Sequence, residues 1–491
     1  MSYKRIAAII AVLTILTSGT LFGIGIKMTI DSLPQSIFLE HHTENEIIAK
    51  AKELNIDFST KDAFKKSYSI SEDEYAAGKL TNDTQQASLN ILNLYRYVAG
   101  LPYDIQLKEE YIEAAQTGAL LNAAVDEMTH HPNKPEGMSD EMYEIGHNAC
   151  ANSNLAQNHG SLPHAMVNGW MDDSNERNIP KMGHRRWVLN PNMQYTGFGS
   201  VGAYGTMYAS DNTKNIEITN DYIAWPAENT PVEMFSGSVF TFTLNKEYDE
   251  PHDTDVKITV TSKTQNKTWH IDNTSELPFY INNENYCMPK CIIFKVDDFT
   301  QSDEIDIRIT GITKNGKDAP INHHIHLFSV TELSTPNTTI LLQPGHGADF
   351  NVTAKTLFAT EQPQLKWKSE DENITDIYYY PHSEKLGFYG KTKGRTTLKV
   401  SATGAEIQFN VIVDESEFYS GDANNDNIVD ITDVTAIRKY ITQNDIITDY
   451  LADVNNDGTV NLLDATLIQQ HLINAKTDTD IGKSRISYFT R

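Results

Sequence analysis

Cysteine is scarce: Cys150, Cys287 and Cys291 are the only three in 491 residues. Three thiols cannot build a disulfide scaffold, and the odd count leaves at least one unpaired. Cys287 and Cys291, in Tyr-Cys-Met-Pro-Lys-Cys, are close enough either to bridge locally or to stand as separate thiols. Cys150 reads as a small buried hydrophobe, because nothing beside it in sequence would lower its pKa. Basic charge is also short, with 40 Lys and Arg against 66 Asp and Glu and a net charge of −26. That balance argues against nucleic acid as a partner and favours cations or simple solubility. Long apolar runs are limited to Ile6–Ile26, an uncharged stretch that follows Lys4 and Arg5 and holds the small residues Thr17, Ser18 and Gly19. It reads as an export signal over residues 1–26. A membrane anchor is the alternative, since a spanning helix needs ~20 apolar residues, and the small-residue cluster favours cleavage.

At roughly 150 residues per domain, this length predicts three or four modules. Residues 27–84 hold one charged helical stretch, Glu44 to Leu54, and read as a linker or lead-in. A module at 85–225 opens with two helices, one carrying Ile91, Leu94, Tyr95 and Val98 on a face. The second repeats Leu107, Tyr111, Ala114, Gly118, Leu121 and Val125 at helical spacing. Glycine-rich strands around Tyr195–Tyr208 make this an α+β layer arrangement. Alternating strands such as Val239–Leu244 and Val256–Val260 mark an all-β accessory domain at 226–330. A second all-β unit at 331–414 has Leu365-Lys366-Trp367-Lys368 and Thr397–Ser401 as half-buried strands. Its Trp367-Lys368-Ser369 and Gly390-Lys391-Thr392-Lys393-Gly394 resemble bacterial immunoglobulin-like domains, which implies a spacer or adhesive role.

One internal repeat is plain. Asp422, Asn424, Asp426, Ile428, Asp430 and Asp433 recur 31 residues later as Asp453, Asn455, Asp457, Thr459, Asn461 and Asp464. A 12-residue loop that offers oxygens at its positions 1, 3, 5, 7, 9 and 12 surrounds a calcium ion, with a backbone carbonyl at position 7. Position 6 turns sharply, which suits Gly458 and is tolerable for Asn427. Val429 and Val460 are expected to point inward, as are Val434, Ile437 and Ile441 and, at matching offsets, Ala465, Ile468 and Leu472. Two such loop-helix repeats over 415–476, before a tail at 477–491, closely resemble type I dockerins of bacterial cellulosomes. The resemblance implies two calcium ions, a small all-α fold and a cohesin partner on an extracellular scaffold or cell surface. It further implies that Ile431, Thr432, Arg438 and Lys439, and Leu462, Leu463, Gln469 and Gln470, touch that partner.

The 85–225 module resembles the CAP superfamily of cysteine-rich secretory, antigen 5 and pathogenesis-related proteins. The residues that carry this are Leu101-Pro102-Tyr103-Asp104, His130-His131, Ser153-Asn154-Leu155-Ala156, Trp170-Met171-Asp172-Asp173 and Gly183-His184-Arg185-Arg186-Trp187. The family implies an α-β-α sandwich with a cleft of two histidines and two acids that can hold a divalent metal such as zinc. Here one of His130 and His131, with Asp173 and His184, match; Ser153 stands where the family has its first acid. A hydrolytic centre would then need Glu141 or Glu144 to substitute for it. Arg177, Arg185 and Arg186 could alternatively line a site for an anion. His324 and His326, in His323-His324-Ile325-His326, would share one strand face, but no third ligand is in view.

These readings describe a secreted, bacterial, scaffold-attached component of polysaccharide degradation or adhesion. Its CAP-like head is read as binding a polysaccharide or cell-wall ligand. The alternative is a secreted hydrolase of glycoside or peptide bonds with a metal-dependent cleft. The lack of a recognisable catalytic carboxylate pair favours binding.

Overall fold

The computed structural model describes residues 34–484, apart from 72–73, 297–298, 300–301, 336–337, 350–351, 359–364, 380–385, 403–404, 416–417, 444, 446, 448, 456 and 475–479. The export segment and most of the tail lie outside the described residues. Among those described, no helix is long and apolar enough to cross a membrane. Two units divide the chain, one ending at Phe328 and one beginning at Ser329.

In the first unit the stretch read as a lead-in is part of the fold. Strand β1 (Gln35–Ile37) pairs in parallel with residues 216–218. Helix α1 (Glu44–Glu53), started by a Thr43–Glu46 capping box, buries Ile47 and Ala51. Its apolar positions are too sparse to show as a periodic stripe, because one narrow face is enough for a helix laid on a larger body. Helix α2 (Asn82–Val98) starts at Thr81, whose hydroxyl accepts from the Thr84 amide, and buries Ile91, Leu94, Tyr95 and Val98 as expected. Helix α3 (Glu109–Val125) begins two residues after Leu107, which instead belongs to a short strand, because Lys108 is extended. Residues 115–122 of α3 are buried on every side. Helix α4 (Asp140–Ala151) packs against one flank of α3, and a three-stranded antiparallel sheet covers another. That sheet orders β2 (Ser153–Gln157), β3 (Phe198–Val201) and β4 (Tyr204–Tyr208) with β4 central. The glycines follow from the close approach of helix and sheet: a side chain at Gly199 would stand 2.3 Å from the Ala115 carbonyl oxygen.

Two larger sheets follow in this unit. Strand β5 (Tyr222–Trp225) pairs with β7 (Val239–Leu244), which pairs with β11 (Cys291–Lys295), and β10 (Phe279–Asn282) forms the far edge. The other sheet is five-stranded and runs β6 (Asn229–Pro231), β13 (Ile321–Phe328), β12 (Asp303–Thr310), β8 (Lys257–Ser262), β9 (Lys267–Ile271). Alternation in Val239–Leu244 predicts one wet face, yet all six residues are buried. Phe240 and Phe242 stack on Phe294 and reach Phe299 and His323 on one side. Val239 packs with Ile293, Ile179 and Met182 on the other. The four-stranded sheet is thus an inner layer.

In the second unit, strands β14 (Thr339–Leu342), β16 (Lys366–Ser369), β19 (Gly394–Ala402) and β20 (Ala405–Val413) form one sheet. Strands β15 (Gly347–Asp349), β17 (Thr375–Tyr379) and β18 (Leu386–Gly390) form another. Leu342, Leu398, Val400, Phe409 and Val411 fill the core between, with Trp367 packed against it. Helices α5 (Ile431–Gln443) and α6 (Leu462–Leu472) follow and pack on each other, with a single helical turn, Asp449–Ala452, between them in sequence.

Candidate functional site

The acidic loops precede these two helices. At position 6 of each loop the backbone turns left-handed, with φ +70° at Asn427 and +83° at Gly458. Asp422 Oδ1 and Oδ2 accept from the amides of Asp426 and Asn427 at 3.0 and 2.8 Å. The second loop repeats this with Asp453 and the amides of Asp457 and Gly458. Asp433 accepts from Asn424 and Asp430, and Asp464 from Val454 and Asn461, so the last acid of each loop ties its beginning to its end. Asp422, Asp433 and Asp464 are fully buried. Burial pushes the Asp433 carboxyl up to about 6, and the charges of Asp422 and Asp426 add to it; Asp422 and Asp464 are also raised, burial first. Mutually repelling, buried carboxylates beside amide and carbonyl oxygens, with no sulfur or nitrogen, form the donor set of a hard cation.

Val434, Ile437, Ala465 and Ile468 form the core behind the loops, and Val429 and Val460 pack on it as expected. Ile441 does not join them: it is 40% exposed, and the core closes on Ala452, Val454 and Ile481 instead. Ile431, Leu462 and Leu463 are 57%, 60% and 51% exposed. Thr432, Arg438, Lys439 and Gln470 are exposed as well, while Gln469 is half-buried.

The first unit carries a cleft of about 460 Å³ that gathers His130, His131, Ser153 and His184. His130 follows α3, which ends in a left-handed cap at Asp126. Its Nδ1 lies 2.7 Å from the Cys150 carbonyl oxygen, an acceptor only, so Nδ1 carries the hydrogen and Nε2 keeps its lone pair. Burial lowers its pKa, which favours that neutral form. His184 stands in a short helix, Gly183–Val188. Asp173, fully buried, holds its Nδ1 at 2.8 Å and accepts from its backbone amide at 3.0 Å. Asp173 therefore orients His184 from behind and does not line the cleft.

The cleft's described lining contains no carboxylate: Glu141 and Glu144 are not part of it, and Ser153 stands between Asn152 and Asn154. The arginines do not line it either. Arg185 is fully buried and gives its guanidinium to the carbonyls of Met171, Val239 and Asp172. Arg186, also buried, binds Asn282 Oδ1 at 2.6 Å and the carbonyls of Glu284 and Met288. Arg177 is exposed and outside the lining. Arg185 and Arg186 could be read as anion-site residues because only tertiary structure shows the carbonyls they satisfy. Cys150 is fully buried, and burial lifts its thiol to about 12, which disfavours the nucleophilic thiolate. All three cysteines are free, and Cys287 Sγ instead donates to the Arg186 carbonyl.

Sequence reasoning missed Tyr286 and named Trp187 only as part of the motif, not as a cleft residue; both are in the lining. Tyr286 lies a hundred residues downstream of the histidines. The Arg186 guanidinium sits 5.0 Å from its ring centroid, and the ring lies against Gly183, where an added side chain would meet it at 3.1 Å. No local pattern could reveal such a contact. Among the described residues no group of three or more His, Cys, Asp or Glu is arranged to hold a metal.

Comparison with known proteins finds a family match for each of the two regions. Residues 89–215 match the cysteine-rich secretory protein family, CAP. Residues 420–473 and 451–485 match the type I dockerin domain. No curated protein matches the chain. Solved structures with partial likeness include domains 4 and 5 of the S-layer protein SbsC, at 16% identity over 35% of this chain and 81% of that one, TM-score 0.16. Another is the I9–I11 tandem of titin, at 8% identity over 45% and 82%, TM-score 0.21. Likenesses this low carry no argument about the fold. The family matches, the duplicated acidic loops and the histidine cleft converge: this is a modular protein with a CAP domain and a C-terminal type I dockerin domain.

Proposed function

We propose that this chain is an exported docking component that fixes itself to a cohesin-bearing scaffold through two calcium-loaded loops and presents a CAP cleft as a binding head. One observation carries the docking half: both loops hold a complete oxygen set around buried aspartates, and both following helices present exposed side chains at equivalent positions. Asp422, Asn424, Asp426, Ile428, Asp430 and Asp433 would hold one ion, and Asp453, Asn455, Asp457, Thr459, Asn461 and Asp464 the other. Calorimetry of the full chain against a type I cohesin, with calcium and then with chelator, tests it. Binding that survives chelation rejects the reading.

For the head, the lining favours binding over hydrolysis. A catalytic zinc uses three protein ligands; the cleft gathers His130, His131 and His184, but among the described residues no three such groups are arranged to hold a metal, so resident zinc does not fit. Aromatic rings, amides and hydroxyls with no carboxylate in the described lining suit a neutral or weakly anionic polymer such as a polysaccharide or cell-wall glycan. The immunoglobulin-like module at 331–414 serves as spacer. Hydrolysis of polysaccharide or peptide by the isolated chain would overturn the binding assignment.

A further inference from the structure

His324 and His326 share one face of β13, and sequence alone shows no third ligand for them. The neighbouring strand supplies it. In the register of β12 and β13, Glu304 stands opposite His326 and Asp306 opposite His324. Glu304 Oε2 lies 2.8 Å from His324 Nε2, and its Oε1 lies 2.7 Å from His326 Nδ1. Asp306 Oδ1 is 2.7 Å from His324 Nδ1, and Glu44, which opens α1, brings Oε2 to 3.4 Å from His326 Nε2.

All four ring nitrogens therefore face carboxylate oxygens. An ionised carboxylate only accepts, and a neutral imidazole carries a single N–H. Two rings supply two hydrogens for four contacts, which leaves two nitrogen lone pairs against oxygen lone pairs. Neighbouring cations do not repair this: Lys263 reaches only Asp306, at 3.9 Å, and Arg308 is given to Asn322. A proton on each ring or a bound metal ion would satisfy these contacts.

We propose that this sheet face binds one transition-metal ion of the zinc class, with His324 Nε2, His326 and Glu304 as ligands. Asp306 accepts from His324 Nδ1–H, fixes the tautomer that frees Nε2, and is a positioning residue. Two imidazoles and a carboxylate form a zinc-type donor set, and an open fourth position suits water on this exposed surface. The described groups do not already converge on one point. The side chains of His324, His326 and Glu304 are 51%, 36% and 40% exposed, so they can rotate toward an ion without disturbing the buried Ile305 and Ile325 beneath.

The test is zinc calorimetry on the full chain near neutral pH, with excess calcium to occupy the acidic loops. One zinc equivalent is expected, and His324→Ala/His326→Ala should abolish it. Glu304→Gln should weaken it, Asp306→Asn should weaken it by about 10- to 100-fold, and His184→Ala should leave it unchanged. Circular dichroism checks the double variant; should it fail to fold, the near-isosteric Glu304→Gln decides. Failure of the wild type to bind zinc, undiminished binding by the folded double variant or Glu304→Gln, or loss on His184→Ala would each overturn the proposal. Histidine NMR signals showing both rings as imidazolium at neutral pH, without zinc binding, would assign these contacts to protons instead.

Discussion

The two acidic loops and the histidine cleft are built in opposite ways. Each loop draws its oxygens from twelve consecutive residues, and the acids that begin and end it bond to amides within the same turn. The cleft draws on residues from Met128 to Tyr286, and its orientation rests on groups that never touch it, such as Asp173 behind His184 and Arg186 behind Tyr286. A local site can be duplicated and moved between chains; an assembled site depends on the whole unit around it. Removing a ligand should therefore break a loop alone, whereas removing a support should damage the cleft and the fold together.

The largest expected effect is on the local side. Chelation, or the paired change Asp433→Ala/Asp464→Ala, should abolish detectable cohesin binding in calorimetry while leaving the thermal transition of the first unit in place. Movement of both transitions would mean that the units are not independently built.

On the assembled side, Arg185→Met should destabilise the first unit by about 3–5 kcal/mol, because three buried carbonyls lose their charged donor. Arg438→Met on the exposed face of α5 should stay within about 0.5 kcal/mol. Denaturant unfolding of both variants measures the contrast.

His323 adds a pH dependence to the first unit alone. Burial holds its pKa at about 4, below the ordinary 6.5. The unfolded chain therefore takes up this proton first, and the stability contribution, complete above about pH 6.5, is lost as pH falls through about 4. The full loss is roughly 3 kcal/mol. Unfolding at about pH 7 and about pH 4.5, in the wild type and in His323→Gln, isolates it; equal slopes in the two proteins would refute the assignment.

Within the dockerin the repeats can be compared with each other. Leu462→Asp/Leu463→Asp should weaken cohesin binding by about 10- to 100-fold, and Ile431→Asp/Thr432→Asp by less, because two exposed leucines make the larger apolar anchor. Equal losses would show that both orientations are used. A small effect is also expected of His184→Ala, which should cost the fold about 1 kcal/mol or less, since the His184 side chain is 19% exposed and Asp173 retains the backbone amides of His184 and Arg185. A larger loss would make His184 a structural residue first.

Which parts were legible follows the same division. Ligand spacing, the turn residues Asn427 and Gly458, and the inward Val429 and Val460 could all be read because each depends on neighbours a few residues away. Helices α2 and α3 showed through their periodicity, and the histidines of the cleft through a resemblance. Burial of both faces of Val239–Leu244 was invisible, because it depends on Ile179 and Met182 on one side and Phe299 and His323 on the other. The packing of residues 35–80 was hidden because a short strand and one narrow helical face bury too little to leave a pattern. By itself the sequence determined the calcium-type loops, the secondary structure beside them and the chain's acidity, since these follow from local geometry and composition. Tertiary structure alone decided that Arg185 and Arg186 are buried supports, that Tyr286 lines the cleft, and that Glu304 meets both His324 and His326. Each of those contacts joins residues that local preference cannot bring together, and only packing of the whole unit supplies the energy that holds them there.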